Sequence, residues 1–423
     1  MQLEAVKSWY GLESLYPELK DEIWRIVTWK TRPQFVETGR TAWHATSRKF
    51  PVALASGSYN ICALKVKGVG LGIGDTVQRP STKAFLRSQP HLGFDSQGTF
   101  ISVESAASPL GGISFSRAET EFDVASGFLA AGGASIFSLS LFRQDSIEYS
   151  FNGEPMGIVV TGLDSELPVR ADRILDFPGE NQLWNAEISS WAASFGLATE
   201  LDFRVPLLVK LSEQYGRELR KFHEAGYYRY SGGLSNYAYS VQRGSAYLVD
   251  FDSCQYMSSC APSLRSLEVL RDVMSMIYHL SGRLLREENI EYFSPARMTK
   301  CTSAFYAVIR SYFHDVPESL VEIAAREFEG FYRDAHSAAM AFHTNSVPVT
   351  PIDPNVDYQA HRHATAKKRW FNAEAMQVKL MLLLGAVYEG SDLQERFGTA
   401  RSPEELAALA SPYLTSSSHP TLA

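Results

Sequence analysis

The spacing of apolar side chains divides the chain into a first part built from strands and a later part built from helices. From about Phe35 to Val69, apolar positions follow the two-residue period of strands, with Ser56-Gly57-Ser58 as a turn between two runs. From Asn181 onward, apolar side chains mostly recur at the three- and four-residue steps of a helix. We therefore expect an α+β protein, with strands concentrated before about residue 165 and helices after about residue 180.

This change of period gives a provisional domain division. The predicted regions are a helical lead-in (1–35), a strand-rich region (36–165), a larger helical region (166–414) and a disordered tail (415–423). The stretch from Gly68 to Gly111 is rich in Gly, Ser, Pro and Gln, and it is predicted to be a long insertion in the strand-rich region.

Two lysines lie near the end of the second predicted strand. Lys65 and Lys67 are two positions apart, so both side chains should point to one face of the strand. Further along, Phe122, Ala125 and Leu129 share one face of a predicted helix with Glu121 beside it. The strand-end lysine and the helix glutamate are candidates for an ion pair, with Lys67 as the expected partner of Glu121 and Lys65 as the alternative if the parity of the strand shifts. Taken singly, a strand lysine is more often solvated.

A second segment, from Leu211 to Ser253, also carries candidate chemistry. An amphipathic helix ends at Ala225-Gly226, and a Gly-rich turn at 231–233 leads to Asn236. Two short apolar strands follow, and the second delivers Asp250-Phe251-Asp252 at its end.

Amide and carboxylate oxygens are ligands that Mg²⁺ prefers. Asn236 and Asp250 are 14 positions apart, and Asp252 shares the parity of Asp250, so these three residues are candidate metal ligands. The alternative is a buried hairpin whose aspartates cap a turn.

This segment resembles the catalytic loop and metal-binding motif of the protein-kinase-like superfamily, including its aminoglycoside- and lipopolysaccharide-kinase relatives. The resemblance implies a two-lobed α+β fold, with a small mixed strand-rich N-lobe and a larger, mainly helical C-lobe. It implies ATP and Mg²⁺ (or Mn²⁺) as cofactors, with Lys67, Glu121 and Asp250 in catalytic roles. Asp272, on a later predicted helix, would bond the catalytic-loop backbone or belong to a surface pair. One departure is Ser231, which stands where these enzymes carry the aspartate that orients the acceptor hydroxyl.

Shorter pieces are similar to the selenoprotein O family, whose kinase-like members transfer AMP to protein hydroxyls with ATP bound in a reversed orientation. The pieces are Lys67-Gly68-Val69-Gly70, the run ISFSRAETEF at 113–122 and a helix ending at a glycine pair. The kinase-like resemblance implies a nucleotide-covering hairpin with Gly57 in its turn and with Lys65 and Lys67 as phosphate-binding candidates. The reversed ATP orientation of the selenoprotein O family would add Arg170 near phosphate. This chain departs from the selenoprotein O family at Ser235, where the family has an acidic residue, and in the longer spacing between Asn236 and Asp250.

Composition narrows the function classes. Hydrophobic residues make up 45% and charged residues 21%, the net charge is −7 and the pI is near 5.9. A net negative chain is not suited to general binding of nucleic acid or anionic membranes. The four cysteines have no metal-type spacing, no apolar run reaches the roughly 18 residues of a membrane span, and no signal peptide is recognisable. A cytoplasmic protein with reduced thiols is expected.

Four functions are consistent with the sequence. The first is transfer of a phosphoryl group from ATP to a hydroxyl of a small molecule or protein, and the second is AMP transfer to a protein hydroxyl. The third is a nucleotide-binding pseudokinase with a scaffolding or regulatory role, which the serine at position 231 favours. The fourth is a structural interaction protein in which the motif set is a coincidence.

Overall fold

The computed structural model describes residues 3–9, 11–35, 41–54, 57–72, 93–94, 100–101, 112–149, 154–175, 182–197, 203–229, 234–259, 265, 269, 272–273, 304, 306–315 and 318. Ser231, the predicted tail and most of the predicted insertion lie outside these residues. Within them the chain is α+β, with a strand-rich antiparallel sheet and several helices, as the sequence predicts.

The α-helices with defined bounds are α1 (Leu12–Leu15), α2 (Pro17–Val27), α3 (Phe115–Ala130), α4 (Gln182–Ser194) and α5 (Arg204–Glu224). The described residues 306–312 are also helical. The strands are β1 (Leu3–Ser8), β2 (Gln34–Phe35), β3 (Thr41–Leu54), β4 (Gly57–Lys67), β5 (Leu71–Gly72), β6 (Gly93–Phe94), β7 (Phe100–Ile101), β8 (Phe137–Tyr149), β9 (Glu154–Leu163), β10 (Tyr227–Arg229), β11 (Tyr237–Ser240), β12 (Ser245–Leu248) and β13 (Cys254–Tyr256). No described helix has the length and apolar character needed to cross a membrane.

The main sheet has six strands in the order β1-β8-β9-β4-β3-β2, and its pairs are antiparallel. One face forms the larger apolar core, in which Ile23 and Ile26 of α2 belong to one buried cluster with Leu64 and Val66 of β4. Since alternate residues of a strand face opposite sides, this leaves Lys65 and Lys67 on the other face.

Helix α3 covers that other face, and a glycine lets it come close. Ala118 and Phe122 of α3 form a buried cluster with Leu141 of β8 and Val159 of β9. A Cβ atom at Gly157 would lie 2.6 Å from the Cβ of Ala118, closer than side chains tolerate. The bare backbone of Gly157 therefore sets the depth at which α3 sits on the sheet.

Helix α3 ends at the predicted glycine pair. Gly132 has φ +85° and its N–H donates to the carbonyl of Leu129, while the N–H of Gly133 donates to the carbonyl of Phe128. These two bonds are those of a Schellman motif, in which a left-handed residue closes the helix. The chain then leads directly into β8.

The lead-in differs from its prediction, because its first element is a strand. Strand β1 pairs antiparallel with β8, with Leu3 opposite Gln144, and the N–H of Trp9 donates to the carbonyl of Leu139. A helical period is present in α2, but residues 3–8 alternate too weakly to reveal a strand at the edge of a distant sheet. The prediction of a wholly helical lead-in was wrong for this segment.

The described residues group into two compact units. The first contains those up to Val169, with the main sheet, and those of Ala238–Cys254, with the hairpin β11–β12. The second contains Arg170–Tyr237 and the described residues after Cys254, with α4 and α5. The two-lobed arrangement and the domain limits expected from the sequence stay predictions.

Candidate active site

A cluster of five charged side chains lies in the first unit. Lys67 Nζ is 2.5 Å from Glu121 Oε2 and 3.2 Å from Asp252 Oδ2, and it also contacts Asp250 Oδ1. Lys65 Nζ is 3.2 Å from Glu121 Oε1. The ion pair that the sequence predicts between Lys67 and Glu121 is therefore present, and the alternative partner Lys65 shares the same carboxylate.

Burial separates one member of this cluster from the others. The side chains of Glu121, Lys65, Lys67 and Asp252 are 0%, 4%, 3% and 6% exposed, whereas that of Asp250 is 25% exposed. Charges removed from water must be paired to be tolerated, and here two ammonium groups face three carboxylates. The cluster keeps a formal negative charge, and Asp250 presents part of it to solvent.

Local sequence explains how β4 brings both lysines to the cluster. Within the antiparallel pair β4–β9, Lys65 lies opposite Thr161 and Lys67 opposite Val159, so no bulge intervenes between the lysines. Directly after Lys67, Gly68 adopts φ +100°, and a Cβ there would lie only 2.3 Å from the carbonyl oxygen of Gly157. The glycine that follows the lysine is thus required by backbone packing.

Asp250 is held in an unusual backbone conformation. Its φ is +68°, in the left-handed region that aspartate tolerates better than most residues but seldom adopts. The preceding strand is fixed at Leu248, whose N–H donates to the carbonyl of Ala134 and whose carbonyl accepts from the N–H of Ile136. A strained conformation held in place by its surroundings is a common feature of functional sites.

The carboxylates of the cluster suit a divalent cation. Oxygen atoms of Glu121, Asp250 and Asp252 all lie within 4.8 Å of one another, and such hard oxygen donors fit Mg²⁺ or Mn²⁺. Of the predicted ligands, Asp250 and Asp252 are brought together in this way. Glu121, predicted only as the partner of lysine, joins them. Asn236 is 5% exposed at the end of a 3₁₀ turn in the second unit, and its part in metal binding stays a prediction.

Two further predicted nucleotide ligands have defined places. Gly57 opens β4 opposite Leu54, next to the turn of the hairpin as expected. Arg170 Nη1 donates to the carbonyl of Ser235 at 2.7 Å, so one bond of this arginine is to the backbone directly before Asn236. Neither the phosphate contact predicted for Arg170 nor the nucleotide contact of Gly57 is tested by these positions.

A buried polar network lies in the second unit, around the end of α5. Asp272 is fully buried, and its Oδ2 accepts hydrogen bonds from the backbone N–H of Arg229 and from His223 Nε2 at 3.1 Å. This is the predicted bond to the chain leading into the candidate catalytic loop, and the surface alternative for Asp272 was wrong. His223 Nδ1 lies 2.6 Å from the hydroxyl of Tyr312, so the neutral ring donates through Nε2 and accepts through Nδ1.

Electrostatics also favour the neutral form of His223. Burial, together with the positive charges of Arg220 and Arg229, lowers the pKa of His223 to about 3. A ring without access to water is best satisfied in its neutral form. The imidazole is therefore a structural link between Asp272 and Tyr312.

The sequence did not predict several contacts that hold the hairpin and helix α3 of the site in place. Arg243 and Gln242, treated as an ordinary loop, bond to the sheet that carries the lysines. Lys7, in the presumed helical lead-in, bonds to two acids of α3. These three residues are distinguished only by hydrogen bonds and ion pairs to distant parts of the chain. A single sequence gives no local signal for such contacts.

Comparisons with known proteins add little to this geometry. No family model matches the chain, and no curated protein matches it. Among solved structures, a match is found to WaaP in complex with acyl carrier protein, with 11% sequence identity over 80% of this chain and 99% of that chain, at a TM-score of 0.36. A likeness of this degree carries no argument about function. The functional assignment therefore depends on the charge cluster itself.

Proposed function

We propose that the chain is an ATP- and Mg²⁺- or Mn²⁺-dependent transferase of kinase-like fold, which moves a phosphoryl group to a hydroxyl of a small molecule or protein. The observation that carries the proposal is the contact of Lys67 with Glu121, Asp250 and Asp252 at one buried point. A protein that used this sheet only as a scaffold would have no need to bury four ionic groups beside a fifth, since burying charge is costly.

In this proposal, each residue of the cluster has a task. Glu121 fixes the ammonium of Lys67, which binds phosphate oxygens of the nucleotide. Asp250, the most exposed carboxylate, and Asp252 would hold the cation, with Asn236 as a further predicted ligand. When bound, the cation supplies neutralisation of the triphosphate charge.

Catalysis would then consist of positioning and of charge stabilisation by preorganised groups. Ser231 offers no carboxylate to orient the acceptor hydroxyl, so the proposal places no general base at that position. The acceptor hydroxyl would have to be oriented by other groups. A slow transfer, relative to kinases with an aspartate there, follows from this departure.

AMP transfer is a second candidate, favoured by the same serine and by the run Lys67-Gly68-Val69-Gly70. Mass spectrometry of the protein after incubation with ATP and Mg²⁺ or Mn²⁺ distinguishes phosphoryl transfer from AMP transfer. A gain of one phosphoryl group supports phosphoryl transfer, and a gain of one adenylyl group supports AMP transfer.

Calorimetric titration with Mg·ATP tests the binding site itself. We expect binding that weakens when the metal is chelated and that loses its metal dependence in Asp250→Ala. Asp145→Ala is the matched control, because Asp145 pairs with Arg143 at the far end of β8. If ATP affinity is unaffected by chelation, by Asp250→Ala and by Asp252→Ala, the transferase proposal is wrong. If metal-dependent binding is intact but no group is ever transferred, a pseudokinase role replaces it.

A further inference from the structure

The hairpin β11–β12, which delivers Asp250 and Asp252, is not a continuation of the main sheet. Its two strands pair with each other as a separate two-stranded sheet, and a single parallel bridge links Leu248 to Ser135. The backbone hydrogen bonds of this one bridge would by themselves hold a short hairpin only weakly, because a two-stranded hairpin is only marginally stable alone. Other contacts must hold the two aspartates in place against Lys67.

The turn of the hairpin, Val241–Gly244, supplies those contacts through two consecutive side chains. Gln242 Oε1 accepts from the N–H of Asn60 in β4 at 3.0 Å, and its Nε2 donates to the carbonyl of Asp164 at 2.5 Å. Arg243 Nε donates to Asp164 Oδ2 at 2.8 Å, and its Nη1 donates to the carbonyl of Ser135 at 2.7 Å.

The guanidinium of Arg243 also lies over two aromatic rings. Its Cζ lies 4.3 Å from the ring centroid of Tyr59 in β4 and 4.9 Å from that of Tyr247 in β12. The Arg243 side chain is 14% exposed and that of Asp164 is 1% exposed, so the ion pair is shielded from water. A cation that is removed from water and contacts two rings and a carboxylate is held more firmly than one in an exposed ion pair.

The partners of Arg243 belong to the elements that carry the rest of the charge cluster. Asp164 directly follows β9, the strand paired with the lysine strand β4, and Tyr59 lies in β4 itself. Ser135 lies in the short connector after α3, the helix of Glu121, and Leu248 two residues before Asp250 bonds to the same connector. The guanidinium of Arg243 therefore connects the hairpin of Asp250 to the strands and the connector that hold Lys67 and Glu121 in place.

We propose that Arg243 is a positioning residue of the active site, which fixes the hairpin so that Asp250 and Asp252 are held ready for the cation beside Lys67. This inference rests on the proposed function, because it assigns Arg243 a role in metal and nucleotide binding. An arginine is required, because its planar guanidinium can donate from two fixed directions while it stacks on aromatic rings. A lysine ammonium cannot do both.

The test is a titration with Mn²⁺ and ATP, followed by the Mn²⁺ electron paramagnetic resonance signal. Arg243→Lys keeps the charge and should weaken Mn²⁺ affinity about tenfold, the lower range for groups that orient metal ligands. Arg48→Lys is the matched control, because Arg48 of β3 also pairs with a carboxylate, that of Glu18 in α2, and stacks on a ring, that of Phe50. It should leave affinity unchanged.

A double-mutant cycle separates positioning from general loosening. If Arg243 acts through Asp250, Arg243→Lys should cause little further loss in an Asp250→Asn background. An equal fractional loss in both backgrounds would overturn the proposal. Asp164→Asn, which removes the charged partner without touching the arginine, should repeat the effect and serves if Arg243→Lys does not fold.

The outcomes also distinguish this inference from the proposed function. If the wild-type protein binds Mn²⁺ and ATP through Asp250, but both Arg243→Lys and Asp164→Asn bind equally well, the positioning role is wrong and the function stands. If the wild-type protein shows no Mn²⁺ binding that depends on Asp250, both are wrong.

Discussion

At the scale of single residues, Lys67 is the centre of the site. Its ammonium contacts all three carboxylates of the cluster, whereas Lys65 adds a second positive charge at Glu121. Without Lys67, three buried or half-buried carboxylates would face one ammonium group. Leaving a buried charge without its partner is far more costly than losing a surface ion pair.

Lys67→Met should therefore lower the free energy of unfolding by about 3 kcal/mol at pH 7, since a long apolar chain replaces the buried ammonium. Lys65→Met should cost less. Because the variant gains an uncompensated negative charge, Mg²⁺ should restore more stability to Lys67→Met than to the wild-type protein. Urea unfolding with and without Mg²⁺ measures both effects, and an equal loss for the two lysine variants would contradict this reasoning.

His223 gives a pH dependence of stability in the second unit. Its pKa is about 3 in the folded protein, lowered from 6.5 by burial and by Arg220 and Arg229. Between those values the unfolded chain binds the proton and the folded chain does not. This group should therefore lower the free energy of unfolding by about 1.4 kcal/mol for each pH unit below about 6.5.

His223→Gln keeps a hydrogen-bonding side chain but cannot titrate. The slope of stability against pH between about 5 and 6.5 should be smaller in this variant than in the wild-type protein. Denaturant unfolding across that range measures the difference, in which contributions common to both proteins cancel. Identical slopes would mean that His223 is protonated in the folded state.

At the scale of elements, helix α3 is placed by fixed contacts on three sides. Gly157 sets its distance from β9, the glycine pair fixes its end, and Lys7 of β1 bonds to its outer surface. In sequence, Glu121 lies between the two acids that Lys7 contacts, but it lies on another face of the same helix. The first strand of the chain therefore helps to hold the helix that carries the lysine partner.

Lys7→Ala should loosen α3 slightly. Lys7 Nζ is 2.9 Å from Glu119 and 2.7 Å from Asp123, but these side chains are 33% to 39% exposed and are screened by water. The expected loss is at most about 1 kcal/mol, and it should shrink in high salt. Urea unfolding at low and high salt tests this. Lys210→Ala, which removes a more exposed pair to Glu213, is the control and should change stability less.

At the scale of the whole molecule, the net negative charge of the chain predicts weak binding of polyanions. The chain carries a net charge of −7, and the described lysines of the cluster are buried beside carboxylates. A nucleotide with its cation can be matched to such a point, whereas an extended phosphate backbone needs a basic surface.

Short duplex DNA should accordingly bind weakly or not at all at about 0.15 M salt, and it should not compete with Mg·ATP. Fluorescence anisotropy with labelled DNA measures the first, and calorimetric titration of Mg·ATP in the presence of DNA measures the second. Tight DNA binding with a steep salt dependence would contradict this expectation.

By itself, the sequence determined the local parts of this protein. The two-residue period placed Lys65 and Lys67 on one face of β4, and the helical period placed Glu121 on α3. The run Asp250-Phe251-Asp252 after a short strand marked the acidic end of the hairpin. These inferences succeeded because side-chain direction in a helix or strand depends on neighbours a few positions away.

Only the tertiary structure decided how those parts meet. Strand β1 joins β8, with Leu3 opposite Gln144, and Arg243 reaches a carbonyl 108 positions away. The sharing of Glu121 by two lysines was likewise decided by the depth of α3 on the sheet. Such pairings depend on which distant surfaces bury each other's polar groups, and no short-range period in a single sequence encodes that choice.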